Sequence, residues 1–317
     1  MALVKKTKQH HSFTERIGQW AKNATLPGFE EIPVWEIASF LRKELKKGEI
    51  ATHAKSVAFT FFLAVFPSVI FVFTLIPYIP VDHLQENLTI IIREVLPKGV
   101  ASLLDQAVFE ASERQRGGLL SIGFFAAAFI ASNGMMNMMA SFDRNNEYFK
   151  KRSAIKTRLI ALQLTFVLFI LLIFSLALVI AGNKLLIYLL AEFNILNSFN
   201  IILFTTLKFL IIFSLFFNSI SVIYRYGPAR KKRWKFISPG STMATILSVL
   251  VSLGFSFFVN KFGGPSRLFG SLGTIMALQI WIYLNSFALL LGFELNSCIE
   301  QKKQQQKARR LIPQAMQ

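Results

Sequence analysis

Six stretches of this chain, at about 55–78, 118–141, 157–181, 200–224, 237–261 and 269–296, are each long and apolar enough to cross a bilayer. A helix needs about 20 such residues to span the roughly 30 Å hydrocarbon core. Within that core the backbone must satisfy its own hydrogen bonds, so runs of this length are predicted to be helices. The fold class expected is therefore all-α: a polytopic membrane protein with six transmembrane helices. Composition agrees, because only 16% of the residues are charged while 53% are hydrophobic, too little charge to cover a soluble surface. Three regions follow: an N-terminal segment 1–54, a transmembrane domain 55–296 and a tail 297–317. The first 50 residues are polar, so no cleavable signal peptide is expected at the start. The single cysteine, Cys298, rules out an intrachain disulfide and CxxC metal spacing.

Charge orients the spans. The N-terminal segment through Lys55, the junctions after the second and fourth spans, and the tail together hold 27 Lys and Arg. The other three connections hold seven, and Lys208 lies inside the fourth span. Cytoplasmic loops retain Lys and Arg, so both termini are expected in the cytoplasm of a bacterial inner membrane. Nine acidic residues accompany the basic side and seven the other, leaving the whole net charge of +18 on the cytoplasmic side. That face is suited to anionic inner-leaflet head groups, at about 1 kcal/mol per basic residue near the surface. Membrane lipids are thus the expected partners and nucleic acid is not; the sequence carries no signal for an oligomeric state.

Two connections have structure of their own. Residues 34–47 place Val34, Ile37, Ala38, Leu41 and Leu45 on one helical face with Lys43, Lys46 and Lys47 off it, predicting an interfacial amphipathic helix on the cytoplasmic side. The outer connection 79–117 carries two apolar stripes, beginning at Leu84 and Val100 and separated by Pro97 and Gly99. Two short helices are expected there, closing the bundle or forming a lid. The Lys- and Gln-rich tail, QKKQQQKARR, is expected to be mobile.

Three runs carry a further signal. The first span reads AKSVAFTFFLAVFPSVIFVFTLIP, with Pro67 in its middle as an expected helix kink. The junction after the fourth span reads YRYGPARKKRWKFISPG, and the last span reads LFGSLGTIMALQIWIYLNSFALLLGFELN. The chain resembles the YihY/BrkB family of bacterial inner-membrane proteins in these runs. Phe269 stands where that family has tyrosine, and Phe293 where it has alanine. The resemblance extends over about 35–300 and implies six helices with both termini inside. Members of the family carry the labels of a tRNA-processing ribonuclease or a serum-resistance factor, and a role in lipid handling is suggested for it.

The ribonuclease label can be weighed on residues. Metal-dependent phosphodiester cleavage needs clustered carboxylates or histidines. The four histidines, His10, His11, His53 and His83, are scattered, and the His83–Glu86 pair has no second histidine nearby. HExxH, a phosphate loop and a GxSxG elbow are all absent. No enzyme activity, metal or cofactor is expected.

Polar stripes support transport or lipid handling indirectly. Ser241, Thr245, Ser248, Ser252 and Ser256 share one face of the fifth span; Asn218 on the fourth and Asn133 and Asn137 on the second add to the set. Such residues line a polar path or form a packing seam, since small and hydroxyl side chains also serve tight helix contacts. Lys208 either snorkels to the outer interface or receives an anionic group. Glu294, at the cytoplasmic end of the last span, is read as a paired carboxylate. Its candidate partners are Arg225, Arg230 and Lys55, and it acts as a staple, as an ion-linked gate, or is simply exposed. The function expected is translocation or organisation of an amphiphilic anionic substrate such as a lipid. A structural scaffold of the envelope is the alternative, and a membrane-bound enzyme the third.

Overall fold

Apolar runs bounded by Gly, Pro and charged residues become long helices. In the computed structural model, residues 25, 32–75, 119–143, 152–192, 198–230, 233–262 and 271–311 are described. All seven regular elements among them are α-helices: α1 Val34–Lys47, α2 Glu49–Leu75, α3 Leu119–Asp143, α4 Ala154–Glu192, α5 Ser198–Tyr226, α6 Pro239–Phe262 and α7 Ser271–Leu311. Four of them, α4 to α7, contain described stretches long and apolar enough to cross a membrane. The outer connection 79–117 lies outside the described residues, as do His10, His11, His83 and Glu86.

The boundaries have local causes. The amphipathic helix spans the residues read from its stripe, and Gly48 ends it at φ 75°, a left-handed conformation that glycine adopts without penalty. The next helix starts at once, at Glu49. It runs unbroken through Pro67 to Leu75. Pro239 opens α6, where a missing N–H costs no helical bond. The tail differs from expectation: α7 continues through it to Leu311. Lys, Gln, Ala and Arg are strong helix formers, and no glycine or proline intervenes before Pro313. At 1.5 Å per residue, the 41 residues of α7 reach about 62 Å, so one end projects well beyond a bilayer core.

From α2 to α7 each helix packs on its neighbours in sequence, and α7 returns onto α2. The six helices therefore close a circuit. One end of it is sealed by Ile50 and Val57 of α2, Met138 and Phe142 of α3, Leu164 of α4, Tyr224 of α5, Ala244 of α6 and Phe293 of α7. Phe142 stacks on Phe293 with ring centroids 4.1 Å apart, and Tyr224 and Trp234 meet Phe293 at 6.1 and 5.2 Å. This is the end that carries Lys47, Arg152, Arg225, Arg230 and Lys302. Large apolar side chains elsewhere on α4, α5 and α6 are exposed, among them Phe174, Phe209 and Leu250, as lipid-facing helices require.

The amphipathic helix does more than lie on an interface. Ile37 packs with Ile32 against Leu295, Cys298 and Ile299 of α7, and Lys302 reaches Glu36 at 3.3 Å. The projecting end of α7 thus supplies a protein partner for Val34 and Ile37 of the stripe, while Ala38, Leu45 and the flanking Trp35 stay exposed.

Candidate functional site

Two motifs that stand far apart in sequence meet at the basic end. Gly240, behind Pro239, lies against Gly292 of the GFELN run, so that a Cβ on either would strike the other's carbonyl oxygen. Small residues allow such close crossings. The Asn296 carboxamide completes the junction: its Oδ1 accepts from the Gly240 N–H at 2.8 Å, and its Nδ2 donates to Ser238 Oγ at 2.9 Å. A free N–H at the start of α6 is satisfied in this way. Tyr224 donates its hydroxyl to the Leu289 carbonyl, tying α5 to the same place.

The loop after α5 is held from the other side. Arg152 donates to the carbonyls of Gly227 and Pro228 at 2.8 and 2.6 Å, and Asp143 accepts from the Ala229 N–H at 2.8 Å. Burial pushes Asp143 above its ordinary value, against the pull of that N–H and of Arg152. Burial lowers Arg152, which Asp143 partly offsets. Arg230 lies over the Trp234 ring at 4.1 Å and pairs with Glu300 at 3.6 Å. Arg233 and Arg225 sit over Tyr226 at 4.7 and 5.8 Å. Arginines therefore lie on two ring faces: Arg233 and Tyr226 are exposed, whereas the Arg230 side chain is largely buried.

The partners expected for Glu294 lie elsewhere. Arg230 takes Glu300, six residues further along α7; Arg225 faces Tyr226; the Lys55 side chain is exposed. Glu294 instead lines a cavity of about 30 Å³ with Glu44, Glu49, His53 and Ser141, room for about two waters. The reason is helical phase. Successive residues on a helix are about 100° apart, so while Phe293 turns to Trp234 and Tyr224, Glu294 turns to α1, α2 and α3. Lys47, beside this cavity, is held above its ordinary value first by its 2.7 Å bond to Glu44, with the fields of Glu49 and Glu294 adding.

The fifth-span stripe divides. Ser241, Thr245 and Ser248 are buried, and Thr245 donates back to the Ser241 carbonyl at 2.8 Å. Ser252 is half-buried and accepts from Trp281 Nε1 at 3.2 Å, and Ser256 is exposed. The inner part is thus a buried helix contact: Ser241 donates to the Ser238 carbonyl just ahead of α6 at 2.9 Å, and Thr245 bonds within the helix. Asn137 staples α3 to α2, donating to Ser56 O and Thr60 Oγ1 at 2.9 and 2.7 Å. Asn133 accepts from Arg158 Nη1 at 2.7 Å. Asn218 donates to Ser214 within α5 at 3.4 Å. Lys208 lies in α5, but its side chain is outside the described set. Among the described residues, no three His, Cys, Asp or Glu side chains come together as a metal site.

Sequence reasoning missed Asp143, Arg152, Arg158 and Asn296. The Asn of GFELN was visible as part of a motif, but only the fold shows that its amide spans two backbone segments. Arg152 and Arg158 were read as loop charge, because their positions at the start of α4 hid their inward partners.

A chain whose described elements are all helices, with at least four of bilayer length and most of the described cations toward one end, is a polytopic membrane protein. The comparisons agree. The family described as virulence factor BrkB matches residues 41–315, and the chain belongs to that family. It is 29% identical over 264 residues to a Bacillus subtilis (strain 168) protein named ribonuclease-like protein YfkH, covering 83% of this chain and 94% of that one. It is 36% identical over 97 residues to a UPF0761 membrane protein of Xanthomonas campestris pv. campestris (strain B100), covering 31% of this chain and 23% of the other. No solved structure matches it.

Proposed function

We propose that the protein engages anionic lipids of the inner bacterial leaflet through its basic end and organises them there. The observation that supports this most is the exposed Tyr226 ring with the exposed Arg233 and the half-buried Arg225 on its face. Rings with cations at a membrane interface present flat apolar area and donors at head-group depth. The orientation proposed is the one that puts this end in the cytoplasm, with both termini there. Reporter fusions after residues 150 and 232 should then read cytoplasmic, and fusions near 95 and 195 should read external.

The sealed core beneath that surface favours organising over an open path, because Phe142 and Phe293 fill the centre of the circuit. Translocation is the second reading, favoured by the rising exposure from Ser248 through Ser252 to Ser256, which opens the stripe away from the basic end. Dithionite quenching of a fluorescent phosphatidylglycerol in proteoliposomes separates the two, since only translocation speeds loss of the inner-leaflet signal. The proposal contains no catalytic step; the sequence lacks the motifs that a hydrolase of the YfkH label would use. Melting temperature in nanodiscs tests the engagement itself. It should be higher in phosphatidylglycerol than in phosphatidylcholine, with a difference that shrinks as salt screens the charges. Equal values in the two lipids would overturn the proposal.

A further inference from the structure

Arg158 is a cation that the reading above does not use. It sits in α4, inside a stretch apolar enough to cross the membrane. Its Nη1 donates to Ser132 Oγ at 3.1 Å and to Asn133 Oδ1 at 2.7 Å on α3. The guanidinium carbon lies 3.5 Å from the centre of the Phe129 ring. These three contacts fix the plane and direction of the fork. Yet among the described residues no protein group accepts from its Nε or Nη2, and no carboxylate pairs with it.

The depth makes this consequential. Asn133 stands ten residues before the end of α3, about 15 Å from the basic tip at 1.5 Å per residue. It lies one turn deeper than Asn137, which bonds to Ser56 and Thr60. Around it Phe125, Phe129, Ile130 and Leu159 are exposed, so the fork opens on the lipid side of the α3–α4 groove. A cation at this depth is costly unless a counter-charge meets it. Arginine's planar fork matches a phosphate through paired N–H donors.

We propose that the free side of the Arg158 guanidinium binds the phosphate of one anionic phospholipid, whose acyl chains lie along the exposed side chains of α3 and α4. The inference deepens the lipid-engagement reading and rests on it for the choice of an anionic lipid as ligand. Unlike the basic surface, it is a single discrete site and lies on the other side of α4 from the exposed Lys156.

The full-length protein, purified in detergent and delipidated, is offered equal phosphatidylglycerol and phosphatidylcholine and examined by native mass spectrometry. The wild type should keep one phosphatidylglycerol that survives activation. In Arg158→Gln, which can still donate to Asn133, the phosphatidylglycerol concentration for half-occupancy should rise about tenfold or more, the scale of a lost charged hydrogen bond. Arg158→Lys, which keeps charge but not the fork, should fall between, and Lys156→Gln should match the wild type. Gel-filtration profiles and melting temperatures without lipid confirm that each variant is folded. If the wild type prefers phosphatidylglycerol and Arg158→Gln holds the tight lipid equally well, the site is refuted while the broader reading stands. If the wild type shows no preference for phosphatidylglycerol, both fail.

Discussion

Replacing Gly292 by alanine puts a methyl group where three neighbours already stand. The added Cβ would lie 2.5 Å from the Gly240 carbonyl oxygen, 2.7 Å from the Ala244 Cβ and 2.7 Å from the Tyr224 hydroxyl. Each distance is well inside van der Waals contact. One neighbour is backbone, and the hydroxyl is committed to the Leu289 carbonyl, so none can turn aside. The α6–α7 crossing must widen, which costs about 1–3 kcal/mol in overpacked cores. Alanine's better helix propensity returns roughly 0.8–1 kcal/mol. Widening also stretches both Asn296 bonds, and a buried polar group left without its partner costs a further 1–3 kcal/mol or so. The net expectation is a loss of about 1–5 kcal/mol, several degrees of melting temperature at roughly 2–4 °C per kcal/mol in soluble domains. Gly254→Ala on the same α6 is the matched control: nothing lies within 4 Å of its Cβ, so it should be neutral or slightly stabilising. Melting of the purified protein, followed by static light scattering or gel filtration after heating, measures both. If Gly292→Ala melts with Gly254→Ala, the close crossing is refuted.

Ser248→Cys should resist charged, water-soluble thiol reagents in the native protein, because the position is 2% exposed; the single native thiol, Cys298, is buried and silent. Rapid labelling at residue 248 would restore a wet path along α6. Glu294→Gln should leave melting temperature unchanged or raise it by roughly 0.2–1 kcal/mol of stability, the scale of weak charge pairs, because Glu294 faces Glu44 and Glu49 across a small cavity; a marked fall would instead favour a stapling salt bridge. Asp143 is pushed above its ordinary value of 3.8 by burial, so the folded state holds its proton more tightly than the unfolded chain. Its contribution is full below that value and is lost as pH rises through the raised one. Asp143→Asn, which keeps an oxygen for the Ala229 N–H, should therefore melt with a flatter pH profile in that acid window, and an unchanged profile would contradict the burial argument.

The helical architecture was legible because membrane-spanning segments must satisfy their backbones internally, so length and apolarity alone predict them. The extent of α1 followed from the stripe of Val34 to Leu45. The helical tail did not: its lysines and glutamines read as a mobile tail, while the propensity that makes them helical depends on the preceding helix as a nucleus. Pairings were legible only in part. The Pro-Gly and GFELN motifs were conspicuous, but their meeting at Gly240 and Gly292 depends on which helices are neighbours. Glu294 shows the limit most plainly. Loop charge counts suggested an arginine partner, whereas helical phase turns it toward α1 and α2. The hydroxyl stripe left two readings open in sequence; in the fold its inner three positions, Ser241, Thr245 and Ser248, are buried.

The central claim is that the basic end gathers anionic lipid. Native discs excised from the bacterial membrane by a styrene–maleic acid polymer, carrying this protein or a control membrane protein of similar size, can be compared for head-group composition. The account expects enrichment of anionic head groups around this protein, falling toward the bulk ratio when Arg225 and Arg233 are both changed to Gln. A composition equal to bulk in the wild type, or an enrichment untouched by those two changes, would contradict it.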